Sequence, residues 1–299
     1  MEKSVPVWPE PVQEVVRQLA QLGGTVVLLG GVDTGKSTLA AALVNEGVRA
    51  GRRVGVIDAD VGQSDIGPPA AVGFGVARGV VESLSDIPAR AIHFVGGVSP
   101  AGHLLPMVVG TVAMARRARA CQCDLVVVDT TGLITGRVAW MLKFHKIQAL
   151  QPSTIVALQE EQELEPVLAP FDGEGGPLVV RLSPAPDARP KSPEVRRERR
   201  RQAFHRYLAA AREWVLDRSV VNLWPPVHPA GLPALEGTVC GVLNRRAATL
   251  AVGVLRHADP YSLTLLAPLE DVASVAMVQW SDLRWTPEGE EAAAPPANF

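Results

Sequence analysis

Along the first two thirds of the chain, short unbroken apolar runs alternate with longer stretches in which apolar positions recur every three or four residues. The short runs at 25–30, 53–58, 91–95, 124–130, 154–159 and 177–182 predict strands, the fourth built around Val126, Val127 and Val128. The stretches at 12–22, 36–50, 104–120 and 137–150 predict helices, the second stopped by Gly51. Strands without polar alternation need cover on both faces, and interleaved helices supply it. The pattern therefore predicts an α/β fold, a P-loop NTPase type with a mostly parallel sheet flanked by helices.

The pattern changes at 183–193, where Pro184, Pro186, Pro190 and Pro193 mark a linker. A long helix is predicted from there to about 216. Beyond 220 the runs are short, β-rich and broken by Gly and Pro, at 237–243, 249–255, 262–266 and 272–278. They predict a small C-terminal β domain. The expected division is a main domain over 1–217, the β domain over 218–285, and a Pro/Ala/Glu-rich disordered tail over 286–299.

A chain of 299 residues with 47% hydrophobic residues can build a full core. Its formal net charge of -2 offers no global attraction to nucleic acid, so any such binding needs a local basic patch. The three cysteines, Cys121, Cys123 and Cys240, lack disulfide or metal spacing and predict reduced thiols. Met1 to Glu10 carries no apolar signal core, and no apolar run reaches the ~20 residues that span a bilayer. A soluble, cytoplasmic protein with no membrane partner is expected.

The sequence from Gly30 to Ser37 fits G-x-x-x-x-G-K-S/T, between a predicted strand and a predicted helix. Glycines let backbone N–H groups turn in around phosphates, and the helix N-terminus adds its dipole. Gly31, Asp33, Thr34, Gly35, Lys36, Ser37 and Thr38 are the expected nucleotide-binding residues. Lys36 is expected on the β- and γ-phosphates and Ser37 on Mg²⁺. None of the four asparagines sits in a guanine-reading N-K-x-D context, which favours ATP.

Two sets of acids compete for the chemistry. The second strand ends in Asp58-Ala59-Asp60-Val61-Gly62-Gln63. If the strand continues, Asp58 and Asp60 share a face, one to hold metal and the other to accept a proton from an attacking hydroxyl. Alternatively Asp58 only caps the strand-to-loop turn. Asp129, after Val126-Val127-Val128, has the Walker B pattern and competes with Asp58 for the metal. Between Arg189 and Arg212 nine cations face only Glu194 and Glu198. Arg196 and Arg200, one helical turn apart, are placed to clamp phosphoryl oxygens. The alternative for such a run is a solvated helix. Phe204, Tyr207, Leu208 and Trp214 are expected to dock that helix.

Taken together, Gly30-x-x-Asp33-x-Gly35-Lys36-Ser37-Thr38, Asp58-x-Asp60-x-Gly62-Gln63 and Thr130-x-Gly132 resemble the polynucleotide 5′-hydroxyl kinase family, which includes an RNA kinase of the pre-mRNA cleavage machinery. Val5-Pro6-Val7-Trp8-Pro9-Glu10 and Phe94-Val95-Gly96-Gly97-Val98-Ser99-Pro100 resemble it too. The resemblance implies transfer of the γ-phosphate of ATP to the 5′-hydroxyl of RNA or DNA, with Lys36, Asp60, Arg196 and Arg200 catalytic and Asp60 the general base. It implies that Gln63 helps to orient the acceptor or the metal shell, that Thr130 and Gly132 form a clasp, with Thr131 between them also substrate-binding, and that the basic helix is a lid. Leu133 stands where eukaryotic members have the clasp tryptophan. A non-catalytic ATP-binding scaffold in RNA processing is the alternative.

Overall fold

The computed structural model describes residues 8–186, 191–286, 289 and 291–293. Val5 to Val7, Arg189 of the basic segment and the end of the expected tail lie outside the described residues.

Helix α1 (Glu10–Leu22) buries Val16, Leu19 and Ala20 and ends at Gly23. It leads into β1 (Gly24–Gly30), then α2 (Lys36–Arg49) and β2 (Val54–Ala59). Strands β3 (Ala71–Val76) and β4 (Ala89–Phe94) follow, then α3 (Leu104–Ala120), β5 (Leu125–Thr130) and α4 (Gly136–Leu150). Strand β6 (Thr154–Leu158), the short α5 (Glu165–Leu168) and β7 (Leu178–Leu182) complete this part. The strands lie in the order β4-β3-β2-β5-β1-β6-β7, with β2, β5, β1, β6 and β7 parallel. Apolar layers cover both faces, as the unbroken strand runs require. α1 and α2 contribute Val16, Leu19, Leu39 and Leu43 to one layer. α3 and α4 contribute Met107, Met114, Leu142 and Ile147 to the other.

Strand β3, absent from the sequence-based expectation, pairs antiparallel with β2 and β4. Its sequence, Ala-Val-Gly-Phe-Gly-Val, does not read as a strand because of its glycines. Gly73 has a local reason: a Cβ there would stand 1.7 Å from the carbonyl oxygen of Ile66, so the 60–70 loop passes directly over it.

The helix expected to reach 216 is shorter. α6 (Pro193–Leu208) starts at Ser192, whose Oγ accepts a hydrogen bond from Val195 N, and has proline in its first turn. The chain turns at Ala209 and re-emerges as β8 (Arg212–Asp217). Residues 212–217 pair antiparallel, along their whole length, with β12 (Ser262–Ala267). This pairing overrides the helical propensity of the alanine run at 209–211. Trp214 therefore does not dock the helix: its Nε1 donates to Ala267 O at 3.1 Å, and the Arg212 guanidinium lies 4.1 Å from its ring centroid. The other three docking residues do what their spacing predicts. Phe204, Tyr207 and Leu208 pack with Phe94, Val239, Val252 and Trp285. Tyr207 Oη accepts Val252 N at 3.1 Å.

The remaining strands are β9 (Asn222–Trp224), β10 (Thr238–Asn244), β11 (Thr249–Ala258), β13 (Val275–Trp285) and β14 (Glu291–Ala293). They form an antiparallel extension, apart from the parallel β9–β13 pair, with its own core around Leu223, Leu255, Leu263, Leu265 and Val278. The extension continues the main sheet through one register pair, Thr249 with Ile92. Thr249 Oγ1 also accepts Phe94 N at 3.0 Å. α6 sits against this junction, so one helix is anchored to the C-terminal strands while its N-terminal turns extend toward the carboxyl ends of the parallel strands. No described helix is long and apolar enough to cross a membrane.

Candidate active site

The site lies at the carboxyl ends of β1, β2 and β5, where an open α/β sheet binds its ligands. The loop between β1 and α2 closes as a phosphate loop. Gly35, at φ 95, precedes the first turn of α2, so the free N–H groups of that turn point into the loop. Lys36 is buried, and its Nζ donates to Gly31 O at 2.5 Å. Burial pulls its pKa down, opposed by the charges of Asp129, Asp60 and Asp33. Thr34 Oγ1 donates to the same carbonyl at 3.0 Å. Both bonds tie the loop's side chains to its own backbone.

The register of β2 and β5 sets Asp58 beside Asp129 at the strand ends. Their surroundings differ. Asp129 Oδ2 accepts Ser37 Oγ at 2.6 Å, and Asp129 Oδ1 is buried without a hydrogen-bond partner among the described residues. Burial pushes this carboxyl's pKa up, while Lys36 and the Ser37 hydroxyl hold it down. Asp58 has both oxygens engaged. Its Oδ1 accepts Asp60 N at 3.0 Å. Its Oδ2 accepts Asp65 N at 2.6 Å, Ile66 N at 3.0 Å and Ser64 Oγ at 3.3 Å. Burial, then Asp65 and Asp129, push its pKa well up. Asp58 organises the 60–66 loop, and of these two carboxylates only Asp129 has an oxygen left without a partner among the described residues. That oxygen and the Ser37 hydroxyl are hard donors suited to Mg²⁺.

The strand does not continue to Asp60, so period-two alternation does not place it. β2 stops at Ala59, and the turn made by the Asp58 carboxylate sets Asp60's position. Asp60 Oδ1 accepts Gly62 N at 3.0 Å and Gln63 N at 3.1 Å, and Oδ2 is free of hydrogen bonds among the described residues. Asp60 lies near enough to Lys36, Asp129 and Lys143 to shift all three. Gln63 Nε2 donates to Gly62 O and, at 3.2 Å, to Arg196 O on α6, tying this loop to the basic helix.

The basic helix meets the phosphate loop through Asp33. Its Oδ2 accepts Lys191 N at 2.7 Å and lies 3.6 Å from Arg196 Nη1, and its Oδ1 lies 3.3 Å from Lys191 Nζ. Arg200, one turn on, is half-buried. Arg201 spends its guanidinium on Glu198 in a two-pronged pair at 2.7 and 2.9 Å. The cations of this helix are thus not equivalent: Arg196 borders the site, whereas Arg197 and Arg199 are exposed.

Thr130, Thr131 and Gly132 run alongside the phosphate loop. A Cβ on Gly132 would stand 2.6 Å from Val32 Cα, so only glycine permits this contact. Thr130 Oγ1 donates to Leu28 O at 2.7 Å. Behind the two threonines stand Lys143 and Lys146 of α4, both buried and neither prominent in the sequence reading. The signal was present: they occupy core positions of the stripe Ala139, Leu142, Ile147 and Leu150.

Fold and site together define a P-loop nucleotide-binding protein with a second helix carrying cations to the phosphate loop. Residues 30–210 match the family described as mRNA cleavage and polyadenylation factor CLP1 P-loop, and the chain belongs to that family. It is 35% identical over 320 aligned positions to a polyribonucleotide 5′-hydroxyl-kinase of Pyrococcus furiosus, covering 89% of each chain. A protein of the same description from Pyrococcus abyssi is 27% identical with the same coverage. Among solved structures, a Clp1p chain in complex with Pcf11p superposes with a TM-score of 0.65. That match covers 91% of this chain and 77% of the other at 14% identity, a likeness of fold. The sequence resemblance agrees with this membership.

Proposed function

We propose that this protein is an ATP-dependent polynucleotide 5′-hydroxyl kinase acting on RNA ends. The reading is carried by one observation. Lys36, the open oxygen of Asp129, the free Oδ2 of Asp60 and Arg196 converge from four separate chain segments on the end of the sheet. Phosphoryl transfer needs a charge clamp on the donor, a proton acceptor for the hydroxyl and a cation over the developing charge. The convergence provides each.

The triphosphate replaces Gly31 O as the partner of Lys36 and takes the N–H groups at the start of α2, with Gly31, Asp33, Thr34, Gly35 and Thr38 shaping the loop. Magnesium, when bound, neutralises β- and γ-phosphate charge. Ser37 and Asp129 would hold it, and Asp58 would act on it only through the loop. The acceptor oxygen bonds to the γ-phosphorus as the bond from that phosphorus to the β,γ-bridging oxygen breaks. ADP leaves, and the hydroxyl proton passes to Asp60 Oδ2. Arg196 and Arg200 offset the charge on the transferring group. Gln63, Thr130, Thr131 and Gly132 line the acceptor side, and the exposed Arg197 and Arg199 attract the polynucleotide backbone. The kinase body runs through α6, and the C-terminal strands support that helix from behind. Free thiols at Cys121, Cys123 and Cys240 suit a cytoplasmic setting.

The test is transfer of labelled γ-phosphate from ATP to 5′-hydroxyl RNA and DNA oligonucleotides, with 5′-phosphorylated oligonucleotides as controls. Label on the 5′-hydroxyl RNA, and none on the 5′-phosphorylated controls, is the expected result. Binding of ATP and RNA without transfer would instead make the protein a scaffold.

A further inference from the structure

α4 turns Ala139, Leu142, Ile147 and Leu150 into the core, and two lysines interrupt that stripe. Lys143 and Lys146 are 0% and 1% exposed, three positions apart on the face toward the sheet. Burying an ammonium costs several kcal/mol unless hydrogen bonds offset it. Lys143 has them: Nζ donates to Thr130 Oγ1 at 2.8 Å, to Thr131 O at 2.5 Å and to Thr131 Oγ1 at 3.4 Å. Thr130 passes the connection on to Leu28 O in β1, two residues before the phosphate loop. Lys146 has none: its buried Nζ lacks a hydrogen-bond partner among the described residues. The charges facing it are Asp60, Asp58 and Asp129, with Lys143 alongside.

A leucine or methionine at 146 would fill an apolar stripe without this penalty. The unanswered amine therefore works against folding, and it sits behind three carboxylates that repel one another. Lys36 cannot remain their counter-charge once a triphosphate claims it. Lys146 can, because it stands behind the strand ends, away from the ligand, whereas burial and the neighbouring charges of Lys146 and Lys36 push the Lys143 amine well down and leave it a hydrogen-bond donor.

We propose that Lys143 and Lys146 are positioning residues for phosphoryl transfer. Lys143 fixes the turn of Thr130 and Thr131 against the phosphate loop, and Lys146 is the buried counter-charge that keeps Asp58, Asp60 and Asp129 gathered when nucleotide is bound. The inference rests on the kinase reading above and concerns how its site is held.

The test uses the full chain with Lys143→Met and Lys146→Met, reading kcat, KM for ATP and oligonucleotide, thermal midpoint, and amide exchange over residues 130–133 with ATP present. Lys146→Met is expected to melt no lower than the parent while kcat falls about tenfold or more and KM for ATP moves less than about threefold. Lys143→Met is expected to speed exchange over 130–133 about tenfold and to raise KM for the oligonucleotide. Parent-like kcat and exchange in both variants would make the pair ordinary core and overturn the proposal. If the parent itself transfers no phosphate, the kinase reading fails, and exchange over 130–133 still decides the positioning role: faster in Lys143→Met supports it, unchanged overturns it. Should either methionine variant not fold, the glutamine variant, which keeps a donor in similar volume, is read against the same outcomes.

Discussion

Ser37 Oγ donates to Asp129 Oδ2 at 2.6 Å, joining the phosphate loop to a strand end 92 residues away. The bond leaves Asp129 Oδ1 buried and unpartnered. A buried carboxylate oxygen without a donor is costly, and a hard cation is what such an atom lacks. Asp129→Asn should therefore raise the magnesium concentration needed for half-maximal transfer by about tenfold or more, with ATP binding in the absence of metal nearly unchanged. A magnesium titration of turnover checks it. An unchanged midpoint would move the metal site to Asp58.

Asp58 and Asp60 should separate by what fails. Asp60→Asn keeps the oxygen that accepts Gly62 N and Gln63 N but cannot take a proton, so turnover should fall ~10²–10⁴-fold with an unchanged melting temperature. Asp58→Asn cannot accept all four of its bonds, and its amide would point N–H at N–H. One or more buried donors would lose a partner, costing about 1–3 kcal/mol each. Chemical denaturation should show that loss. Loss of turnover in a fully stable Asp58→Asn variant would reverse the roles.

How much of this was legible in the sequence depends on the range of the interaction. The phosphate loop is a local motif, and the parallel strands declare themselves because burial on both faces leaves no polar alternation. Long-range contacts are silent. β3 is hidden because Gly73 answers to the loop crossing it. The helix runs on to 216 in the sequence pattern because only pairing with residues 262–267 makes a strand of 212–217. Asp33 reads as part of the phosphate loop, yet its carboxylate holds Lys191 and Arg196 of the basic segment. Asp58 and Asp129 could not be told apart until the hydrogen bonds around each were known. Lys143 and Lys146 were visible as cations at core positions of an amphipathic helix, a conflict between local pattern and burial.

The buried lysine also predicts a pH dependence of stability. Burial pulls the Lys146 ammonium from 10.5 down to about 8, against the opposing charges of Asp60, Asp58 and Asp129. Between those values the unfolded chain holds a proton that the folded protein has released, so stability rises with pH across this window. Below about 8 both states are protonated and the full penalty of the buried charge is present. The span corresponds to about 3 kcal/mol, to order of magnitude. Lys146→Met lacks the group, so its stability advantage over the parent should be largest below pH 8 and shrink toward pH 10. Denaturant melts at pH 7, 9 and 10 measure it. An advantage independent of pH would mean that burial does not lower the pKa of this amine.

The basic helix gives the sharpest division between an enzyme and a scaffold. Arg196 is held 3.6 Å from Asp33 beside the phosphate loop, and in the kinase proposed above it exchanges that carboxylate for the γ-phosphate. An arginine that meets charge developing on the transferring group lowers the barrier more than it tightens ground-state binding. Replacing Arg196 and Arg200 together by alanine should therefore lower kcat by ~10²–10⁴ while KM for ATP rises less than about tenfold. Arg199 is exposed and lies about 100° from Arg200 around the helix. Arg199→Ala should leave kcat nearly unchanged and raise KM for the oligonucleotide, an effect that fades as salt screens the backbone contact. Steady-state kinetics at two ionic strengths reads all of these. Equal losses at Arg196, Arg199 and Arg200, all erased by salt, would reduce the helix to a basic surface. Absence of transfer in the parent, with RNA binding alone lost in the variants, would make the site a scaffold's grip rather than a kinase's lid.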